Sequence, residues 1–366
     1  MPKVLKIQDG TEQGLKKLLR ALLESGQAAG VFALRRSGEA VNYSLVTDPS
    51  MLEDVEPFYP VMPVQGARAL SQLTGTEPLN EPVVAMLRPC ELRAMVELVK
   101  RKQADLDNFF VISCTCGGVY PLSTALADDM TSKLGAYGAA VAANEIPDNL
   151  RTACESCVEF TPYGADMTVL VVGAGDVTTT TEIILNTPRA EEVAKLIDAE
   201  ICESDTPEAI EKMRAKRQSN RDKIFADIEQ SGHGLSGLVN LFGKCIGCRG
   251  CREVCPVCYC NLCEFDSHRS QLTREGLEKD LANRGGLRIP ARTLEYHLGR
   301  MSHMAVSCVA CGQCSDVCPV DIPVSTLFTE VGQAVQKIFD YLPGSNMEEA
   351  LPLTTFLTEE LKEVED

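Results

Sequence analysis

Leucine recurs at Leu15, Leu18, Leu19, Leu22 and Leu23, the i, i+3, i+4, i+7, i+8 spacing of one buried helix face. Thr11, just ahead of this stripe, is a candidate N-cap. Short apolar runs at 31–34 and 41–46 predict strands, and Pro49, Pro57, Pro60 and Pro63 then punctuate a loop region. Residues 83–87 are apolar throughout, Leu92, Met95, Val96 and Val99 return to helical spacing, and 109–113 are apolar again. This is a compact β–α–β pattern. Residues 168–172 run into Gly173-Ala174-Gly175, which resembles the start of a dinucleotide fingerprint. Thr178 holds its third glycine position, and 180–186 is β-prone, so a hairpin or sheet turn is the better reading. From Pro188 the pattern turns helical. Segments 191–200 and 207–230 predict a connector, ended by Ser231-Gly232-His233-Gly234, and 290–301 predicts a further helix. Beyond Val324 the chain is apolar, then acidic, and is broken by Leu342-Pro343-Gly344 and Leu351-Pro352-Leu353. A partner-wrapping arm and a frayed acidic end are the two readings of that tail.

Cysteine changes the picture most. Cys245-x-x-Cys248-x-x-Cys251-x-x-x-Cys255-Pro256 is repeated as Cys308-x-x-Cys311-x-x-Cys314-x-x-x-Cys318-Pro319. Each is the ligand run of a bacterial-type [4Fe–4S] ferredoxin, in which the fourth Cys serves the other cluster. The expected sets are therefore Cys245, Cys248, Cys251 with Cys318, and Cys308, Cys311, Cys314 with Cys255. Zinc knuckles supply two ligands per arm, so zinc or a disulfide framework explains the doubled run and its prolines less well. Three further cysteines, Cys258, Cys260 and Cys263, exceed what two cubanes need. They are candidate additional ligands with three readings open: part of another cluster, a zinc site with His268, or thiols beside a cubane.

In the first half, Cys90 lies at the turn after the 83–87 strand and Cys116 just after the 109–113 strand. Ligands sit at such carboxyl ends in parallel α/β sheets. Cys114 continues the strand and reads as packed or spare. Cys154-x-x-Cys157 alone fits a redox dithiol, a zinc arm or half of a cluster site; with Cys90 and Cys116 it completes a four-thiolate set. Cys202 has no partner in its segment. The loop Asp9-Gly10-Thr11-Glu12-Gln13-Gly14 feeds a helix N-terminus and could hold a phosphate through free N–H groups, although the pattern alone favours a plain capped helix.

The chain has 366 residues, so two or more domains are expected. Its hydrophobic content of 45% and charged content of 24% are ordinary for a soluble globular protein. A net charge of −17 argues against binding to nucleic acid or an anionic membrane surface. Seventeen cysteines, with neither a basic-then-apolar leader nor a bilayer-length apolar run, fit reduced metal-ligating thiols in the cytoplasm and no membrane insertion.

Three motifs in order resemble the coenzyme F-420 hydrogenase/dehydrogenase beta-subunit family over roughly residues 10–190. They are Val83-Val84-Ala85-Met86-Leu87-Arg88-Pro89-Cys90-Glu91-Leu92-Arg93-Ala94, Cys116-Gly117-Gly118-Val119-Tyr120-Pro121, and Cys154-Glu155-Ser156-Cys157-Val158-Glu159-Phe160 with Ala165-Asp166 after it. The resemblance implies an FAD-binding domain with one [4Fe–4S] cluster held by Cys90, Cys116, Cys154 and Cys157. It also implies flavin contacts at Gly10, Thr11 and Gly14, where Asp9-Gly10-Thr11 stands in place of the family's Ser-Gly-Gly turn. A flavin domain followed by a two-cluster ferredoxin resembles the beta subunits of cytoplasmic formate dehydrogenases. The expected architecture is thus an α/β (α+β) flavin/Fe–S domain over 1–190, a helical connector over 191–235, a helix-rich 2[4Fe–4S] ferredoxin-like domain over 236–325, and a partner-binding tail over 326–366. The implied function is electron transfer between a hydride carrier (the deazaflavin coenzyme or NAD(P)H) at FAD and a catalytic subunit of formate dehydrogenase, hydrogenase or heterodisulfide-reductase type. Three [4Fe–4S] clusters would carry the electrons. A flavin-free relay joining such enzymes is the alternative.

Overall fold

The computed structural model describes residues 2–127, 130–174, 177–203, 208–266 and 273–354. Eight strands form one sheet: β1 (Lys3–Ile7), β2 (Gly30–Ser37), β3 (Ala40–Val46), β4 (Val83–Met86), β5 (Phe109–Cys114), β6 (Met167–Val169), β7 (Thr181–Leu185) and β8 (Glu200–Glu203). Their order is β3-β2-β4-β5-β6-β7-β1-β8. The run β2-β4-β5-β6 is parallel, and the other neighbours are antiparallel. Every residue of β4 and β5 is buried, as strands covered on both faces require.

Helices α1 (Thr11–Glu24), α2 (Gly66–Thr74) and α3 (Pro89–Lys100) make the outer layers. Leu15, Leu18, Leu19 and Leu22 of α1 pack on one sheet face with Val84, Phe110 and Ile112. Leu70, Leu92, Met95 and Leu98 cover the other, against Val83, Ala85, Phe109 and Val111. Successive strand residues thus point into opposite cores, and each buried leucine contributes about 2 kcal/mol. Two sequence expectations shift here. Gly10, not Thr11, is the N-cap of α1, because Gly10 keeps an extended backbone (ψ 154°) while Thr11 is already the first helical residue. The hairpin expected after 168–172 is the antiparallel β6–β7 pair, although Gly175 lies outside the described residues.

After α4 (Leu122–Ala127), α5 (Met130–Ala142) and the short α6 (Thr152–Glu155) comes α7 (Pro188–Ala194), which stops before β8. The expected connector over 191–235 therefore carries an edge strand. β8 pairs with β1, which would otherwise leave a row of open backbone groups. The rest of the connector is α8 (Glu208–Gly232), whose buried residues Ile210, Met213, Arg217, Arg221 and Ile228 share one face. It is a clamp across the cysteine loops rather than a spacer.

The remaining body contains α9 (Gly234–Phe242), α10 (Gly250–Glu253), α11 (Arg274–Arg284), α12 (Thr293–Met304), α13 (Gln313–Asp316) and α14 (Val324–Ile338). α14 buries Val324, Leu327 and Phe328 with Ile228, Phe242 and Cys245, so the segment expected to be a tail begins as core. Further on, Glu97 of α3, itself fully buried, accepts hydrogen bonds from Tyr341 Oη and from Gly344 N, the latter at 2.9 Å. Gly344 has φ +71°, and a Cβ there would lie 2.1 Å from Arg93 O. Only glycine permits this docking. Residues 341–344 thus contact their own chain; 355–366 lie outside the described residues.

The two halves are also joined by a buried ion pair. Arg151 Nη2 lies 2.5 Å from Asp316 Oδ2, and both side chains are almost wholly enclosed. Arg151 also donates to Gln313 Oε1 at 3.1 Å and Met62 O at 2.9 Å, and Asp316 accepts from Leu122 N. Removing one member strands the other charge in a dry interior. Asp316→Asn is expected to cost about 3–5 kcal/mol, with partial recovery when Arg151→Met is added. Chemical denaturation of both variants beside the parent checks this, and a single variant as stable as the parent would show that the pair is not paying for burial.

Candidate metal centres

Cys90 is positioned from below by strand β4 and by the first turn of α3. Pro89 opens that helix, and Glu91 caps it by accepting from Arg88 N at 2.8 Å. Glu91 also accepts from Gly66 N at 2.8 Å and Tyr43 Oη at 2.7 Å, so the turn carrying Cys90 is rigidly held. Cys116 follows β5, Cys154 sits in α6, and Cys157 lies just beyond it. All four cysteines line one cavity. Cys311 of the second ferredoxin arm lines it too. Gly312 makes that approach feasible, since a Cβ there would stand 2.6 Å from Ala153 Cβ.

Two buried arginines face this cavity. Arg217 donates to Cys116 O at 3.1 Å and Gly117 O at 2.9 Å, with its guanidinium 4.6 Å from the Phe160 ring centre. Arg88 stands on the other side, paired with Glu91 at 3.8 Å. The thiols respond unequally. A hydrogen bond from Cys114, then the charges of Arg88 and Arg217, pull the Cys116 thiol down to about 6 despite its burial. Burial pushes Cys154 up to about 12 and Cys90 well above the ordinary thiol range. Cys114, expected to be packed or spare, is buried at the end of β5 and serves as that hydrogen-bond partner. Cys202 lies opposite Val4 in β8, away from this set.

The ferredoxin arms share a backbone device. Gly247 and Arg249 adopt positive φ in the first arm, and Ala310 and Gly312 do so at the matching positions of the second. Such turns point successive N–H groups inward, a concavity that suits anionic Fe–S sites. Gly247 N donates to Cys245 Sγ and Ile322 N to Cys318 Sγ, each at 3.4 Å. Cys255 stands within electrostatic reach of Cys308, Cys311 and Cys314. Cys251 is influenced in the same way by Cys245 and Cys248, and Cys318 packs against the apolar cluster that contains Cys245. Among the described residues no three His, Cys, Asp or Glu side chains could hold a single metal ion.

Cys258 donates its N–H to Cys255 O at 3.2 Å and stays beside that thiol. Cys260 is exposed, and its carbonyl accepts from Arg252 at 3.0 Å. Cys263 is half-buried, and His268 lies outside the described residues. The turn at Gly10, Thr11 and Gly14 does not form an open phosphate cradle. A Cβ at Gly14 would meet Thr181 Oγ1 at 2.3 Å, one at Gly10 would meet Thr178 O at 2.6 Å, and the Thr11 N–H is already donated to Val177 O at 2.9 Å. The space on the Cβ side of both glycines is thus taken by Thr178 and Thr181.

Sequence reasoning passed over the arginines. Arg217 and Arg221 lie four apart on the buried face of α8, and Arg300 shares the buried stripe of Thr293, Tyr296 and His297 on α12. A cation inside an otherwise inward-facing stripe was the available signal.

Residues 240–322 match the family described as a 4Fe-4S dicluster domain. With this domain and the cysteine groups above, the chain is an iron–sulfur, electron-transfer subunit of an oxidoreductase. It is 30% identical to F420-dependent formate dehydrogenase 1 subunit beta of Methanococcus maripaludis, covering 89% of each chain. It is 26% identical to F420-dependent formate dehydrogenase subunit beta of Methanocaldococcus jannaschii, over 89% of this chain and 90% of that one. The chain belongs to the family of F420-dependent formate dehydrogenase beta subunits. A chain of the F420-reducing [NiFe] hydrogenase complex from Methanosarcina barkeri is also similar, at 14% identity and TM-score 0.45, over 64% of this chain and 94% of that one.

In protein stripped of metal, Cys116 is expected to alkylate faster than Cys90 and Cys154 at neutral pH. Its rate should fall as pH drops through about 6, because protonation removes the nucleophilic thiolate. Iodoacetamide labelling across pH with mass-spectrometric readout checks the order.

Proposed function

We propose that this chain carries electrons between a hydride carrier and a catalytic oxidoreductase subunit through three [4Fe–4S] clusters. The assigned ligands are Cys90 and Cys116 after strands β4 and β5 with Cys154 and Cys157 at α6; Cys255, Cys308, Cys311 and Cys314 next; and Cys245, Cys248, Cys251 and Cys318 last. The observation that carries this reading is the cavity shared by the first four cysteines and Cys311. It supports a first set lying beside the second, and the crossed ligand runs would tie the second to the third. Cys248 is exposed, so the last set reaches the surface, where a partner of formate dehydrogenase, hydrogenase or heterodisulfide-reductase type would meet it. Among the described residues no helix is long and apolar enough to cross a membrane, and a cytoplasmic location is part of the same proposal.

The relatives are named as F420-dependent, which supports a deazaflavin coenzyme as the hydride carrier. A bound FAD would supply the conversion from a hydride pair to single electrons that cubanes accept. Because Gly10, Thr11 and Gly14 are packed against 177–181, that flavin would need contacts elsewhere in the 1–190 domain. The closed turn favours, as a second reading, a flavin-free relay between two enzymes. FAD released by acid from anaerobically purified protein separates the two readings: about one per chain supports the first, and none supports the second.

Cys154→Ala is expected to lower iron from roughly twelve to roughly eight per chain and to stop transfer from the carrier, while leaving the ferredoxin-type EPR signals. Full iron and three clusters in that variant would sink the assignment of the first set.

A further inference from the structure

Arg300 is an inner residue of α12, only 2% exposed. Its Nη1 donates to Cys251 Sγ at 3.3 Å and its Nη2 to Cys251 O at 3.1 Å. The guanidinium lies 5.8 Å from the Tyr296 ring centre and 5.2 Å from that of Phe328, and its Nε has no partner. Among the described residues no carboxylate pairs with it. Burying an unpaired cation this deeply costs several kcal/mol unless negative charge is supplied nearby. The sulfur it bonds, Cys251, can supply that charge, and Cys255 and Cys314 act on it electrostatically. Cys251 belongs to one ferredoxin-type set, and Cys255 and Cys314 belong to the other. One buried cation is therefore bonded to a sulfur of the first set and under the electrostatic influence of the second.

We propose that Arg300 sets the reduction potentials of both ferredoxin-type clusters, acting on the Cys251 side by hydrogen bond and charge and on the Cys255 side by charge alone. This rests on the two-cubane reading above. Hydrogen bonds to cluster sulfur and nearby charge are the levers by which a protein tunes such potentials. An electron added to either cluster increases its negative charge, and a fixed cation acting on both favours that addition. Arg300 exchanges no proton and breaks no bond in the step, so it is a positioning residue.

The test is an EPR-monitored redox titration of the full chain as purified anaerobically, with iron content measured in parallel. Signals are assigned by substituting Cys251 and Cys255 with Ser in turn. In Arg300→Met both clusters should become harder to reduce, by about tenfold in the reduction equilibrium, which is about 59 mV for one electron. In Arg300→Lys, which keeps the charge and loses the planar fork, only the Cys251-side cluster should shift. Unchanged potentials in loaded protein, or equal shifts of both clusters in Arg300→Lys, overturn the proposal. Loss of iron in both variants overturns it too, since that assigns Arg300 to assembly alone. If Arg300→Met does not load, Arg300→Lys decides. Absence of two ferredoxin-type signals in the parent protein would instead overturn the two-cubane reading.

Discussion

Guanidinium groups buried beside thiols are the interaction on which the interior of this protein depends. The chain carries a net charge of −17, yet Arg88, Arg93, Arg151, Arg217, Arg221 and Arg300 are all buried. Thiolate-ligated clusters are anionic and lie in a poorly solvated interior, so the fold must bring compensating charge with them. Arginine suits this role because it stays protonated and its planar fork can grip backbone carbonyls as well as sulfur. Arg217 does so at Cys116 O and Gly117 O, and Arg300 at the sulfur and carbonyl of Cys251.

The same residues tie the two halves together. α8 leaves the sheet domain and runs back over its cysteine loops, with Arg221 donating to Ser156 O at 2.9 Å between Cys154 and Cys157. Arg151 reaches from beside α6 to Asp316, between the last two cysteines of the second arm. The 341–344 segment closes on α3, the helix that begins at Cys90's turn. The Cys90 turn and the second ferredoxin arm are thus braced from the opposite half of the chain. A relay passing single electrons needs such bracing, because its centres must keep their separation.

Much of this was legible in the sequence, and the limits have physical causes. The ferredoxin arms were readable because cluster ligation is a local demand: four thiolates at set spacings, with left-handed turns between them. The β4–α3–β5 unit was readable because period and burial coincide over short segments. β8 was not, since its four residues, Glu-Ile-Cys-Glu, carry little pattern and become a strand only because β1 offers an open edge. The Gly10–Gly14 turn presents the composition of a phosphate loop, but its packing against residues 177–181, distant in the chain, was not legible in it.

The sequence by itself determined the two ferredoxin-type cysteine runs, the central parallel strands and the places of Cys90 and Cys116 just after two of them, because each is written in local spacing. The tertiary structure alone decided that Cys311 shares the cavity of Cys90, Cys116, Cys154 and Cys157, that Arg300 bonds the sulfur of Cys251, and that the region after Val324 folds back onto its own chain. Those facts depend on contacts between residues tens to hundreds of positions apart, which side-chain pattern along the chain does not encode.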